Sequence, residues 1–132
     1  MNLTLREYIE LTYFEGEIIT YGSYQYDDTD HYIRQRVVCN DGFNMSVQGN
    51  SGSYCSPRYF TTSYECMEIG FPSEHDELLG DETEDVYGYV EFDIIEKIVE
   101  KHGGINIEET TKDCTEPKLI KYLDRLKKLE SL

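Results

Sequence analysis

Apolar and polar positions recur with two different periods along this chain, and the periods place helices toward both ends and strands between them. Leu5, Tyr8, Ile9, Thr12 and Tyr13 follow at helical spacing behind Thr4-Leu5-Arg6-Glu7. That tetrapeptide is a capping box, with Thr4 as N-cap and Glu7 three residues on. Gly16 closes the run, so the spacing predicts a helix over 5–15. From Glu17 to Val47 the chemistry turns to β-formers. Ile18, Ile19, Thr20, Tyr21, Tyr24 and Tyr26 predict strand, and Asp27-Asp28-Thr29-Asp30 a loop. Tyr32 to Cys39 predicts a second strand, and Asn40-Asp41-Gly42 a hairpin turn, because Asp-Gly tolerates positive φ. Phe43, Met45 and Val47 alternate to one face of the partner strand, Phe43 to Gln48.

Gly49-Asn50-Ser51-Gly52-Ser53 reads as a flexible loop. Tyr64 to Ile69 predicts a strand that Gly70-Phe71-Pro72 stops. Residues 73–85 read as a long acidic loop with a helical turn at Asp76–Leu79, and Val86 to Val90 as a short strand or extended segment. Ile94, Ile95, Ile98 and Val99 place one apolar stripe on a helix from Phe92 to His102, capped by Gly103-Gly104. Glu116-Pro117 opens a last helix with Leu119, Ile120, Leu123, Leu126 and Leu129 at helical spacing. The order, α-β-β-β-β-(β)-α-α, predicts an α+β fold. It has a small, mainly antiparallel sheet of four to five strands, an N-terminal helix and two C-terminal helices. Residues 1–132 read as a single domain, with its core in 5–105 and a C-terminal helix at about 116–129.

Composition adds function classes to exclude. With 132 residues the chain suits one hydrophobic core. Its 12 Lys+Arg against 27 Asp+Glu leave a formal net charge of −15. That balance argues against direct binding to nucleic-acid phosphates, which needs a Lys/Arg footprint, and against docking on anionic lipid. No apolar run reaches the ~20 residues of a membrane span, and the N-terminus lacks the pattern of a signal peptide. The expectation is a soluble cytoplasmic protein. Twelve Tyr and five Phe, with no Trp, argue against wholesale disorder.

The charge is localised. Residues 65–100 hold 13 acids and one base, Lys97, for a net −12, whereas residues 118–132 carry +3. One reading is a solvated acidic face. The other is a phosphate mimic: Glu74, Asp76, Glu77, Asp81, Glu82, Glu84 and Asp85 would occupy a basic nucleic-acid channel in another protein. A calcium site is a third option, with a weak signal, because Asp81-Glu82-Thr83-Glu84-Asp85 lacks the glycine and spacing of an EF-hand loop.

Candidate chemistry is sparse. Cys39, Cys55 and Cys66 are candidate zinc or thiol residues, but the four cysteines contain no closely spaced pair of the kind structural zinc sites use. In a reducing compartment they read as free thiols, with zinc as the alternative. Arg58 beside Cys55 offers a cation to a thiolate, yet no spacing ties Cys55 to a particular histidine. No phosphate-binding glycine loop is present. The chain is therefore read as a non-enzyme. Tyr21, Tyr24, Tyr26 and Tyr32, among Asp27, Asp28, Asp30 and His31, suit either the cover of a small core or a contact surface for a basic partner. Of these, Tyr24 and Tyr26 join the candidate partner-binding residues.

A string of short segments carries a resemblance. These are Val38-Cys39-Asn40-Asp41-Gly42-Phe43, Met45-Ser46-Val47-Gln48, Tyr54-Cys55-Ser56-Pro57-Arg58, Glu68-Ile69-Gly70-Phe71-Pro72-Ser73, Val86-Tyr87-Gly88-Tyr89-Val90 and Glu100-Lys101-His102-Gly103-Gly104-Ile105. Together they resemble small uncharacterised proteins of phages and prophages of Gram-positive bacteria, over about residues 37–105. The resemblance implies phage origin and, as location, the cytoplasm of the infected host. Origin and charge together make the leading expectation an anti-CRISPR protein. It would bind a basic partner such as a Cas effector nuclease, Cas9 first, and block its DNA or guide. The alternatives are a small zinc-binding or thiol-dependent phage accessory protein on Cys39 and Cys55, and a phage assembly accessory with a merely solvated acidic face.

Overall fold

The computed structural model describes residues 2–29, 31–113 and 117–130. Asp30, Cys114 and Glu116 lie outside them. The fold is α+β. Thr4 caps α1 (Leu5–Leu11) as its sequence predicts: its Oγ1 accepts from the Glu7 N–H at 3.1 Å, and Glu7 accepts from the Thr4 N–H at 3.0 Å. The helix is shorter than expected. Thr12 turns its hydroxyl back onto the Tyr8 carbonyl at 2.7 Å, and the chain leaves the helix there.

The main sheet is antiparallel, in the order β4 (Val37–Val38), β5 (Asn44–Gln48), β6 (Cys66–Gly70) and β7 (Val86–Glu91). Only Val37–Val38 of the predicted strand 32–39 is strand. Asp41 accepts from the Phe43 N–H at 2.9 Å, and Gly42 takes φ +96 in the turn to β5. The expected first strand region divides instead into a separate hairpin, β2 (Ile18–Tyr21) and β3 (Tyr24–Asp27), turning at Gly22 with φ +64. Three short elements were not foreseen: β1 (Asn2–Leu3), its partner β8 (Ile105–Asn106), and α3 (Ile107–Thr111).

Met45 and Val47 of β5, Met67 and Ile69 of β6, and Leu5, Tyr8 and Ile9 of α1 are buried in one cluster. Ile95, Ile98 and Val99 of α2 (Phe92–Lys101) complete it, as the stripe predicts. Gly103 and Gly104 end that helix at φ +89 and +85. In the last helix, α4 (Pro117–Glu130), Leu123 touches the core, whereas Ile120 and Leu129 are exposed. Among the described residues no helix is long and apolar enough to cross a membrane.

The two edges of the main sheet differ. Beyond β4, Cys39 bridges to Ile105, and the Val38 N–H donates to Thr110 of α3 at 2.9 Å. Beyond β7 there is no further strand among the described residues.

Candidate functional site

The acidic segment between β6 and β7 is pinned along its length. At its base the Phe71 N–H donates to the Asp85 carbonyl at 2.6 Å, and Arg36 donates to the Phe71 carbonyl. Ser73 and Asn44 exchange two hydrogen bonds, of 2.8 and 3.0 Å. Further on, the Tyr87 hydroxyl accepts from the Glu84 N–H at 2.8 Å and donates to the Glu82 carbonyl at 3.2 Å. Glu74, Glu77, Asp81, Glu82, Glu84 and Asp85 are exposed on this support. Among the described residues none of the six carboxylates takes part in an ion pair.

Asp76 departs from the expected contact set. It is 3% exposed and cannot touch a partner. Its carboxylate accepts from the Leu78 N–H at 2.9 Å, capping the single 3-10 turn Glu77–Leu79, and from Lys101 Nζ at 3.2 Å. His102 lies between Asp41, 2.6 Å from Nδ1, and Asp76, 3.4 Å from Nε2, with its ring stacked 4.1 Å from Phe43. Burial pushes the Asp76 carboxyl up, but the Leu78 N–H, Lys101 and His102 outweigh it and hold it below the ordinary aspartate value. The Phe43 N–H and His102 likewise lower Asp41. Asp76 therefore fastens the acidic segment to the end of α2.

The tyrosine hairpin stands outside the main sheet. Ile19 pairs with Tyr26 and Tyr21 with Tyr24, so these four share one face. Tyr21, Tyr24 and Tyr26 are 82%, 65% and 40% exposed, and the Tyr24 and Tyr26 rings lie 5.8 Å apart. They do not cover the core. Tyr32 differs: it joins Phe14 and Phe60 in an aromatic cluster, with centroids 4.9–5.5 Å apart. Asp28 ties the base by accepting from the Glu17 N–H at 2.8 Å. A Cβ on Gly16 would lie 1.9 Å from Asp27 Oδ1, so a larger residue there would have to displace the Asp27 carboxylate.

Among the described residues, Cys39, Cys55 and Cys66 do not assemble a centre. Cys39 and Cys55 are buried, and Cys66 is partly buried. Burial, with the Asp41 charge, pushes the Cys39 thiol up to about 11, and burial also raises Cys55 and Cys66. The Cys55 thiol sits 3.4 and 3.3 Å from the carbonyls of Asn50 and Pro57. Among the described residues no group of three or more His, Cys, Asp or Glu side chains is placed to hold a metal ion. Arg58 and Arg34 act to lower the Cys55 thiol, but burial outweighs them; Arg58 Nη2 also reaches the Ser51 carbonyl at 3.4 Å, and its guanidinium lies 5.9 Å from the Tyr54 ring centre.

Two features carried no expectation. Arg34 is 2% exposed and has only neutral partners among the described residues. These are Thr12 Oγ1 at 2.8 Å, the Thr61 and Gly49 carbonyls at 3.2 and 3.4 Å, and the rings of Phe60 and Tyr64. The second is the exposed pair Tyr54 and Tyr89, whose rings lie 6.0 Å apart over β7. Gly88 gave the signal for it, since a glycine inside a strand marks a bulge or a close approach. A Cβ there would lie 3.0 Å from that of Tyr54. Comparison of the chain with protein-family models, curated proteins and solved structures finds no match.

Proposed function

We propose that this protein works by binding rather than catalysis, as an acidic module that enters a basic nucleic-acid channel of another protein and blocks it. One observation carries the reading: six exposed carboxylates, without an ion pair among the described residues, held on a segment fixed by backbone and side-chain hydrogen bonds at its base, middle and end. Duplex DNA presents one charge per ~1.7 Å of axis, so a mimic needs dense anionic groups in fixed positions. A segment already ordered in the free protein loses less conformational freedom on docking than a flexible acidic tail. The exposed face of Tyr21, Tyr24 and Tyr26 supplies contact area with few rotatable bonds. Exposed Lys121, Arg125, Lys127 and Lys128 on α4 put the opposite sign elsewhere on the chain, so the acids are concentrated rather than general.

The phage resemblance extends the proposal to a Cas effector nuclease in the cytoplasm of the infected host, with Cas9 as the first partner to test. Purified protein is mixed with Cas9 and guide RNA before target DNA is added. Loss of cleavage, with a complex on a sizing column, is the expected result. Full cleavage at large molar excess, with no complex, rules out the Cas9 form.

A further inference from the structure

The edge of the sheet at β7 offers a second contact, of a kind the acidic segment does not supply. Ile69 pairs with Tyr87 and Met67 with Val90, so Gly88 and Tyr89 together oppose the single residue Glu68. On one side of this bulge the Phe71 N–H bonds to the Asp85 carbonyl, and on the other the Phe92 N–H bonds to the Glu65 carbonyl. The alternation of an antiparallel ladder then turns the peptide groups of Tyr87 and Val90 inward to β6, and those of Val86 and Glu91 outward. Val86 is 38% exposed and Glu91 is exposed. Among the described residues no turn, loop or cap hydrogen bond engages the backbone N–H of either one. The bulge itself is occupied, because the Tyr89 N–H donates to the Tyr54 carbonyl at 2.9 Å.

Acids surround this edge. Glu84 and Asp85 precede it, and Glu91 ends it. Beyond Glu91 lies an open depression of about 410 Å³ lined by Glu65, Glu91 and Asp93, with Arg6 and Phe92. A second copy of this chain pairing there in antiparallel fashion would bring Glu84 and Asp85 against Glu91, with like charges opposed. The edge thus repels its own kind and selects a cationic strand.

We propose that the open edge of β7 is a strand-addition site for an extended, Lys/Arg-bearing segment of a partner protein. Main-chain hydrogen bonds at Val86 and Glu91 give the pairing, and the flanking carboxylates give the choice of a basic sequence. The site rests on the acidic-module reading above and names the form of the partner's contact.

The probe is a fluorescent peptide of roughly eight residues, alternating Val and Lys, long enough to lie along the six residues of β7. Its affinity is read by anisotropy at low ionic strength. Val86→Pro removes an outward N–H and leaves the β6 ladder intact, so affinity is expected to fall at least about tenfold. In case that variant does not fold, the unaltered protein is tested against a peptide N-methylated along its pairing edge, with the same loss expected. Equal affinity for the methylated and parent peptides would overturn strand addition while leaving charge attraction in place. Failure of both peptides to bind would also overturn it. A chain that instead dimerises through β7 on a sizing column, and loses the dimer with Val86→Pro, contradicts it as well. The acidic-module reading fails separately, in the cleavage assay.

Discussion

Arg34 sets the hardest constraint at the level of single residues. A buried guanidinium is costly unless its donors are satisfied, and here the Thr12 hydroxyl and two carbonyls meet them. Lysine carries the same charge but not the planar fork that reaches all three. Arg34→Lys is therefore expected to lower unfolding stability by about 2 kcal/mol, and Arg34→Ala by about 3 kcal/mol, read as shifts of the urea midpoint. Asp76 gives a pH-dependent counterpart. Its folded pKa is depressed, so its stabilisation is complete above the ordinary aspartate value of 3.8 and is lost as pH falls through and below it. Asp76→Asn should cost about 2–4 kcal/mol at pH 7, with the gap from the parent protein closing below about pH 4. A constant gap down to pH 2.5 would show that the carboxylate charge contributes nothing. Neither role was legible in the sequence. Asp76 looks like every other acid of its run, and only the fold brings Lys101 and His102 to it.

Among the elements, those with local causes were readable and those with distant causes were not. The Thr4 capping box, the Asp41-Gly42 turn and the stripe of α2 each depend on residues a few positions apart. β1 and β8 depend on each other across the whole chain, pairing Leu3 with Ile105, and two residues give no period to detect. The tyrosine hairpin was half legible. Its β-formers predicted strand, but Gly22-Ser23 divides it into a separate hairpin, whose tyrosines lie in solvent rather than over the core. Replacing Tyr21, Tyr24 and Tyr26 together by Ser should therefore change unfolding stability by no more than about 0.5 kcal/mol per site. If the hairpin is a contact surface, affinity for the partner falls at least about tenfold in the same variant, as when aromatic anchors leave an interface. A large drop in the urea midpoint would instead make these rings part of the fold.

For the whole molecule, net charge states less than its placement. The formal −15 argues against a phosphate-binding role, but it cannot distinguish a solvated face from an interface. Placement separates the acids: Asp76 turns inward as a fastener, while Glu74, Glu77, Asp81, Glu82, Glu84 and Asp85 remain outside on the segment it fastens. Docking by such a face is salt-sensitive, because exposed charges more than ~10 Å apart are screened at 0.1 M ionic strength. The most direct test exchanges those six exposed acids for lysine, keeps Asp76, and measures inhibition of Cas9–guide cleavage beside the parent protein. The predicted result is an unchanged urea midpoint with inhibition weakened at least about a hundredfold, the scale expected when close charge pairs turn repulsive. Inhibition equal to that of the parent protein would contradict the account and leave the acidic face as solvated surface only.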